Sequence, residues 1–174
     1  MNPVESFNLN GRKLIKYLAI LLITLLIGAI FLFILIYIDI RDELQKETEQ
    51  AIEYSILYSP IEEALETYTF NGEKPYDVIK GENESGESLY VFIPKNLTHT
   101  DEIKWIEEEA GLKKDDLLNR FRTNCSNCSL IEINPGILNN QFVWEVIYEQ
   151  NDRMYFQTYR FSNGELYDSI SFRK

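Results

Sequence analysis

The pattern of apolar and polar positions divides the chain into one unbroken apolar segment and a series of alternating segments. Residues 17–38 contain no charged side chain. At about 1.5 Å per residue, a helix of this length crosses the roughly 30 Å hydrocarbon core of a bilayer. A secretory signal has a shorter apolar region that ends in small residues, whereas this one ends in Tyr37 and Ile38. The pattern therefore predicts an uncleaved transmembrane helix over residues 14–38.

The charges beside the apolar segment predict its orientation. Three basic residues lie shortly before the segment and two lie soon after it. Because basic flanks tend to stay on the cytoplasmic side, residues 1–13 are predicted to be a cytoplasmic tail. The rest of the chain is then extracellular, and the protein is a single-pass protein of the cell membrane.

Apolar periodicity after the anchor predicts a first unit over residues 39–94. Residues 39–58 contain no Gly or Pro, are rich in helix-forming residues and carry an apolar stripe, so they are predicted to be helical. Short alternating stretches separated by turn residues follow, which is typical of antiparallel strands. The predicted strands of this three-stranded meander are 65–70, 76–80 and 88–93.

A second unit is predicted over residues 101–174, after a polar linker at 95–100. Thr100 is a suitable N-cap for a helix at 101–110, and Gly111 is a suitable residue to end it. A short helix over 114–121 is predicted next, and the turn between the first two strands of this unit is placed at 134–140. The four predicted strands are 130–133, 142–148, 154–161 and 166–172. The helices and antiparallel strands place the chain in the α+β class.

The net charge of residues 39–174, the part predicted to lie outside the cell, limits the classes of partner that we expect. The whole chain has 17 basic and 28 acidic residues, of which residues 1–38 hold three and one, so residues 39–174 carry a net charge of −13. Nucleic acids and anionic membrane faces attract clusters of Lys and Arg, so neither is expected as a partner. Plain solubility also explains such a surface.

Several patches of this sequence resemble the TseB-like family of cell-wall elongation regulators of Bacillus-type, Gram-positive bacteria. The resemblance covers roughly residues 14–172, as spaced patches without a catalytic signature. The patches lie at 76–81, Gly86, 89–94, 144–148 and 161–165.

This resemblance implies an anchored protein with two cystatin-like units, the second similar to PepSY domains, each a helix packed on an antiparallel sheet. It also implies a binding module, not an enzyme, whose partner is a penicillin-binding transpeptidase of the wall-synthesis machinery. An alternative function is a peptidase regulator at the cell surface, because cystatin-like and PepSY-like units resemble inhibitory modules.

Aromatic residues within or beside the matching patches are candidates for a partner-binding surface. Aromatic side chains dominate interfaces, but they dominate the cores of small domains as readily, so a core position is the alternative for each. The candidates are Tyr76, Tyr90, Phe92, Trp144 and Tyr148.

Cys125 and Cys128 form the one conspicuous motif that is outside the family pattern. Outside the cytoplasm the pair can oxidise to a disulfide across a small loop. A redox role requires a cysteine at a helix N-terminus, whereas this motif follows a predicted helix. A zinc site needs about four ligands, and distant His99 adds only one. A disulfide or unpaired thiols are favoured over redox sensing or metal binding.

No pattern in the sequence predicts catalysis. The acidic run at 107–109 is predicted to be a solvated helix face. There is no Gly-rich phosphate loop, no Ser-His-Asp or Cys-His set, and only one histidine. We therefore expect no catalytic residues, no metal and no cofactor.

Overall fold

The computed structural model describes residues 11–173, so most of the predicted cytoplasmic tail lies outside the described residues. The first element is a single long helix, α1 (Gly11–Tyr58), which joins the predicted anchor and the predicted helix 39–58 without a break. Among the described residues this is the one helix whose length and composition suit a membrane crossing. The side chains of the apolar segment are exposed, as they are in a helix surrounded by lipid.

The chain divides into two compact units, residues up to Lys46 and residues 47–174. The second unit contains two antiparallel sheets of four strands each, so the predicted α+β class is confirmed. In each sheet, strands that follow one another in the chain are also neighbours in the sheet. The strands of the first sheet are β1 (Glu63–Asn71), β2 (Pro75–Glu82), β3 (Ser88–Pro94) and β4 (Lys104–Glu107).

The second sheet follows a short helix, α2 (Lys114–Asn124), which was predicted at nearly these bounds. Its first turn contains Asp115 and Asp116 and its last turn contains Arg122, so charges of both signs complement the helix dipole. The strands are β5 (Ser129–Leu138), β6 (Gln141–Gln150), β7 (Arg153–Arg160) and β8 (Leu166–Arg173).

The predicted helix over 101–110 is wrong. A 3₁₀ turn at Thr100–Glu102 and another at Glu108–Ala110 flank strand β4. Strand β4 pairs with β3, from Leu89 opposite Glu107 to Phe92 opposite Lys104. Residues 89–94 of β3 are buried, so backbone groups at an unpaired edge of this strand would lack hydrogen-bond partners. That requirement outweighs the helix propensity of the segment. The first sheet therefore has four strands and not the predicted three.

The turn predicted at 134–140 is also too long. Strand β5 continues to Leu138, and only Asn139 and Asn140 connect it to β6. Both residues have positive φ, 48° and 62°, which asparagine tolerates and which matches the twist of two-residue hairpins. The hairpin between β6 and β7 uses the same device at Asn151 and Asp152, with φ of 51° and 57°.

Two hydrophobic clusters cover the two faces of the first sheet. One cluster lies between the end of α1 and the first sheet and includes Ala51, Ile79 and Val91. The other joins the opposite face of the first sheet to α2 and the second sheet. A Cβ on Gly136 of β5 would overlap the ring of Phe70, so the absence of a side chain there allows the close approach.

Candidate functional site

The five aromatic residues predicted as a partner surface lie in the core between the sheets. All are at most 6% exposed, and Tyr90, Phe92 and Trp144 are fully buried. The Tyr90 ring meets Trp144 edge-on, with centroids 5.4 Å apart. The core alternative therefore describes their positions, and contact of a partner with Tyr90, Phe92 or Trp144 would require the core to open. The complete set is Tyr76, Tyr90, Phe92, Trp144 and Tyr148.

Trp144 also fixes the loop that leads into α2. Its Nε1 donates a hydrogen bond to the carbonyl oxygen of Leu112 at 2.8 Å. The indole stacks on Phe161, with ring centroids 5.5 Å apart, and the Phe161 carbonyl accepts the N–H of Leu112 at 2.7 Å. A buried aromatic ring whose polar atom forms a hydrogen bond holds neighbouring segments in place, which is a structural role.

A charged cluster lies beside this core, on the face of the first sheet that packs against the second. Lys80 Nζ lies 2.9 Å from Glu108 Oε1, and both side chains are less than a fifth exposed. The Tyr90 hydroxyl donates to the same carboxylate oxygen at 3.0 Å. The predicted solvated helix face at 107–109 is thus wrong for Glu108, because the segment forms a 3₁₀ turn that directs this side chain inward.

A second tyrosine extends the cluster towards α2. The Tyr68 hydroxyl donates to Glu66 Oε2 at 2.6 Å and accepts from Lys114 Nζ at 3.3 Å. Burial raises the pKa of both Tyr68 and Tyr90, and the carboxylates of Glu66 and Glu108 raise it further. Both hydroxyls therefore stay protonated near neutral pH and act as hydrogen-bond donors. Such groups link elements and supply no general base.

Two of the open grooves formed by residues 11–173 flank the sheets. The first, of about 420 Å³, lies between the end of α1 and the edge formed by β2 and the segment after β3. Lys95 lies in it, 3.4 Å from both Glu47 and Asp77. Burial opposes the charge of Lys95, but Asp77 and Glu47 outweigh it and raise the pKa of this amine. The groove is polar, and its cation is already paired.

The second groove, of about 400 Å³, lies between α2 and strands β6 and β7. Tyr148 and Tyr159 line it together with Gln157, which accepts a hydrogen bond from the Tyr159 hydroxyl at 2.6 Å. Arg120 lies at its rim and donates to the carbonyl of Asn163 at 3.2 Å. Most of the polar groups in this groove therefore have partners within the protein.

Cys125 and Cys128 are paired in a disulfide at the end of α2. Cys125 follows the last helical residue, and its N–H donates to the Phe121 carbonyl at 2.9 Å. A cysteine at a helix C-terminus receives no stabilisation of its thiolate from the helix dipole. The bridge closes the turn between α2 and β5, which is a structural position.

Within residues 11–173, no group of three His, Cys, Asp or Glu side chains is placed to hold a metal ion. Sequence reasoning missed the pairing of Lys80 with Glu108, which lie 28 residues apart. A weak signal was present in Trp105 and Ile106, because aromatic and β-branched residues favour strands.

Comparison with known proteins supports the resemblance in part of the chain. Residues 50–94, which span the end of α1 and strands β1 to β3, match the family model of the cell wall elongation regulator TseB-like domain. No curated protein sequence matches this chain.

Two solved structures are similar to it. The YpmB protein from Bacillus subtilis aligns with a TM-score of 0.61 and 21% identity, over 71% of this chain and 96% of that one, which shows a shared fold. A candidate lipoprotein from Clostridium difficile 630 aligns with a TM-score of 0.37 and 9% identity, over 72% and 91% of the two chains. The resemblance predicted from the sequence is therefore confirmed for residues 50–94, which match the TseB-like domain described for cell wall elongation regulators, and the chain shares the fold of YpmB.

Proposed function

We propose that this protein is a membrane-anchored, non-catalytic binding module that modulates cell-wall synthesis during elongation by binding a penicillin-binding protein. In this proposal residues 17–38 span the cell membrane of a Gram-positive bacterium, with residues 1–13 in the cytoplasm and residues 39–174 outside. The outer part consists of two cystatin-like units, the second of the PepSY type.

The match of residues 50–94 to the TseB-like domain is the observation that carries this proposal. The apolar segment of α1 supports it, because a membrane anchor confines the domain to a thin layer beside other membrane-bound proteins. Confinement raises the effective concentration of two partners and makes a weak contact productive. The paired state of the buried charges and tyrosines supports a binding role over an enzymatic one.

Deletion of the gene, followed by complementation, tests the regulatory role. We expect cells without the protein to change in length or width and in the pattern of new wall synthesis, measured by incorporation of a fluorescent D-amino acid. The full chain should restore both. A matched variant in which 17–38 is replaced by an unrelated transmembrane segment should also restore them, because this segment acts as an anchor only.

Co-purification from detergent-solubilised membranes tests the partner. A penicillin-binding protein should be retained by the full chain and lost with Trp144→Ala, which disturbs the core. Retention of a peptidase, with slowed proteolysis and normal wall synthesis, would contradict the proposal and favour a peptidase regulator. Cleavage of a substrate by the purified chain would contradict its non-catalytic character.

A further inference from the structure

Part of the outer face of the second sheet is apolar and takes no part in either hydrophobic cluster. Side chains alternate along β6, so Ile147 points away from the face that carries core residues Val146 and Tyr148. Cross-strand pairing places Phe156 opposite Ile147 and Ile170 opposite Phe156. The next row on this face pairs Met154 with Phe172. We call these five residues the outer patch: Ile147, Met154, Phe156, Ile170 and Phe172.

The outer patch is open to solvent. Ile170 is 50% exposed and Phe172 is 59% exposed, and the other three residues are half-buried. The rings of Phe156 and Phe172 meet edge-on with centroids 6.0 Å apart, so they form one surface. Isolated apolar side chains are common on protein surfaces, but a contiguous group on one sheet face marks an interaction site.

Carboxylates border this patch on two sides of the same face. Glu132 is opposite Ile147, and Glu145 and Asp168 flank Thr158 in the neighbouring row. None of these three carboxylates forms an ion pair with a lysine or arginine of residues 11–173. Arg160 is farther along the face, where it donates to Gln141 at 2.6 Å and its guanidinium carbon lies 4.8 Å from the Tyr167 ring centroid.

Glu145 is the carboxylate that gains most from an added cation. It is partly buried, and it neighbours Asn134, whose amide already donates to Glu132 at 2.8 Å. Burial, and then the charge of Glu132, raises the pKa of Glu145. A lysine or arginine placed here would offset both effects, since opposite charges attract more strongly where water is partly excluded.

We propose that the outer patch docks a protein surface in which apolar side chains are bordered by lysine or arginine. This inference rests on the proposed function and adds to it the docking face and the chemistry of the partner. A second copy of the chain fits poorly, because a symmetric contact would place carboxylate rows against each other. An anionic lipid surface fits poorly for the same electrostatic reason.

Site-specific photocrosslinking in intact membranes tests the docking face with the full chain. One variant carries a photoreactive phenylalanine derivative at position 172, and a control carries it at position 169, on the opposite face of the same strand. We expect position 172 to form a protein adduct and position 169 to form little. The attached peptide, mapped by mass spectrometry, should contain lysine or arginine next to apolar residues.

Charge removal tests the chemistry of the contact. With the probe kept at position 172, Glu132→Gln combined with Glu145→Gln should lower the adduct yield by about fivefold and reduce its dependence on salt. Near-UV circular dichroism of the same variant should be unchanged, because neutral side chains of equal size replace the carboxylates. An unchanged yield at every salt concentration would overturn the proposed complementarity.

The other occupants give distinct products. An adduct of twice the chain mass identifies a second copy, and a lipid adduct identifies the bilayer. An attached peptide without basic residues identifies a partner surface of different chemistry. Each of these results overturns the inference, and so does the absence of any adduct. If no adduct forms but co-purification still finds a penicillin-binding protein, the proposed function is retained and the proposed docking face is rejected. A mapped basic partner unrelated to wall synthesis would leave the docking face standing and remove the proposed function.

Discussion

Both sheets have four strands, but they differ in how many of their faces are covered. The central strands β2 and β3 of the first sheet are covered on both faces, by the end of α1 on one and by the second sheet on the other, and residues 89–94 of β3 are all buried. The second sheet is covered on its inner face, whereas the outer patch lies open on the opposite face. Its edge strand β8 has no buried residue. The first sheet therefore forms the centre of the fold, and the second presents a surface.

This difference is visible in the residue order once the fold is known. Residues 89–93 of β3 are an unbroken apolar run, which is typical of a strand with both faces buried. The outer strands of the second sheet alternate apolar and polar positions, yet the alternation of β8 places its apolar residues Ile170 and Phe172 outward. Apolar residues that are exposed and do not contribute to the core are candidates for a binding surface.

The largest expected effect comes from opening the core between the sheets. Trp144→Ala removes a fully buried indole and its bond to Leu112, and should lower the free energy of unfolding by about 3–5 kcal/mol. Trp105→Ala, on the edge strand β4 where the indole is 46% exposed, should cost less than about 1 kcal/mol. Urea denaturation of the full chain in micelles, followed by near-UV circular dichroism, measures both. Equal losses would remove the distinction between centre and edge.

A smaller effect should come from the contact between the sheets at Gly136. Gly136→Ala places a methyl group against the Phe70 ring and should destabilise the protein by about 1–3 kcal/mol. Phe70→Leu in the same chain relieves the overlap, so the double variant should lose less than the sum of the two single variants. Additive losses in the same denaturation assay would contradict the close approach.

The two sheets should also differ in the sign of their pH dependence. On the second sheet, burial raises the pKa of Glu145, so the unfolded chain releases this proton first and stability is lost as the pH rises above about 4.5. Glu145→Gln should remove that loss. Beside the first sheet, in the 3₁₀ turn before β4, the hydrogen bond from Lys74 lowers the pKa of Glu102 to about 2, so its contribution to stability is present above about 4.5 and is lost on acidification.

Urea midpoints measured at a series of pH values distinguish these two groups. The advantage of the Glu145→Gln variant over the unmodified chain should grow as the pH rises. The disadvantage of Glu102→Gln should also grow as the pH rises and should disappear in acid. A Glu145→Gln variant whose advantage is independent of pH would show that this carboxylate is not strained by burial.

The smallest effect on stability should come from the outer patch. Phe172→Ser should change the free energy of unfolding by no more than about 0.5 kcal/mol, because its ring is 59% exposed and outside the core clusters. Thermal unfolding of the same preparation measures this. If the variant unfolds like Trp144→Ala, the outer patch is part of the core and not a surface for partners.

The sequence predicted most of the fold because most elements carry a local signal. The anchor follows from an uninterrupted apolar composition, and α2 has acidic residues in its first turn and a basic residue in its last. Seven strands were placed by the alternation of apolar and polar positions and by turn residues such as Asn151 and Asp152. It predicted little of the site. Burial of the aromatic candidates depends on which sheet faces meet, and that is a property of packing.

The sequence by itself thus determined the apolar helix and the α+β class, because periodicity and turn chemistry act between near neighbours, and its resemblance to a known family identified the TseB-like segment. Only the tertiary structure decided that residues 104–107 form a strand, that Glu108 turns inward to Lys80, and that the outer patch remains uncovered. Each of these depends on groups far apart in the chain: the free edge of β3 needed hydrogen-bond partners, and one sheet can cover only one face of another.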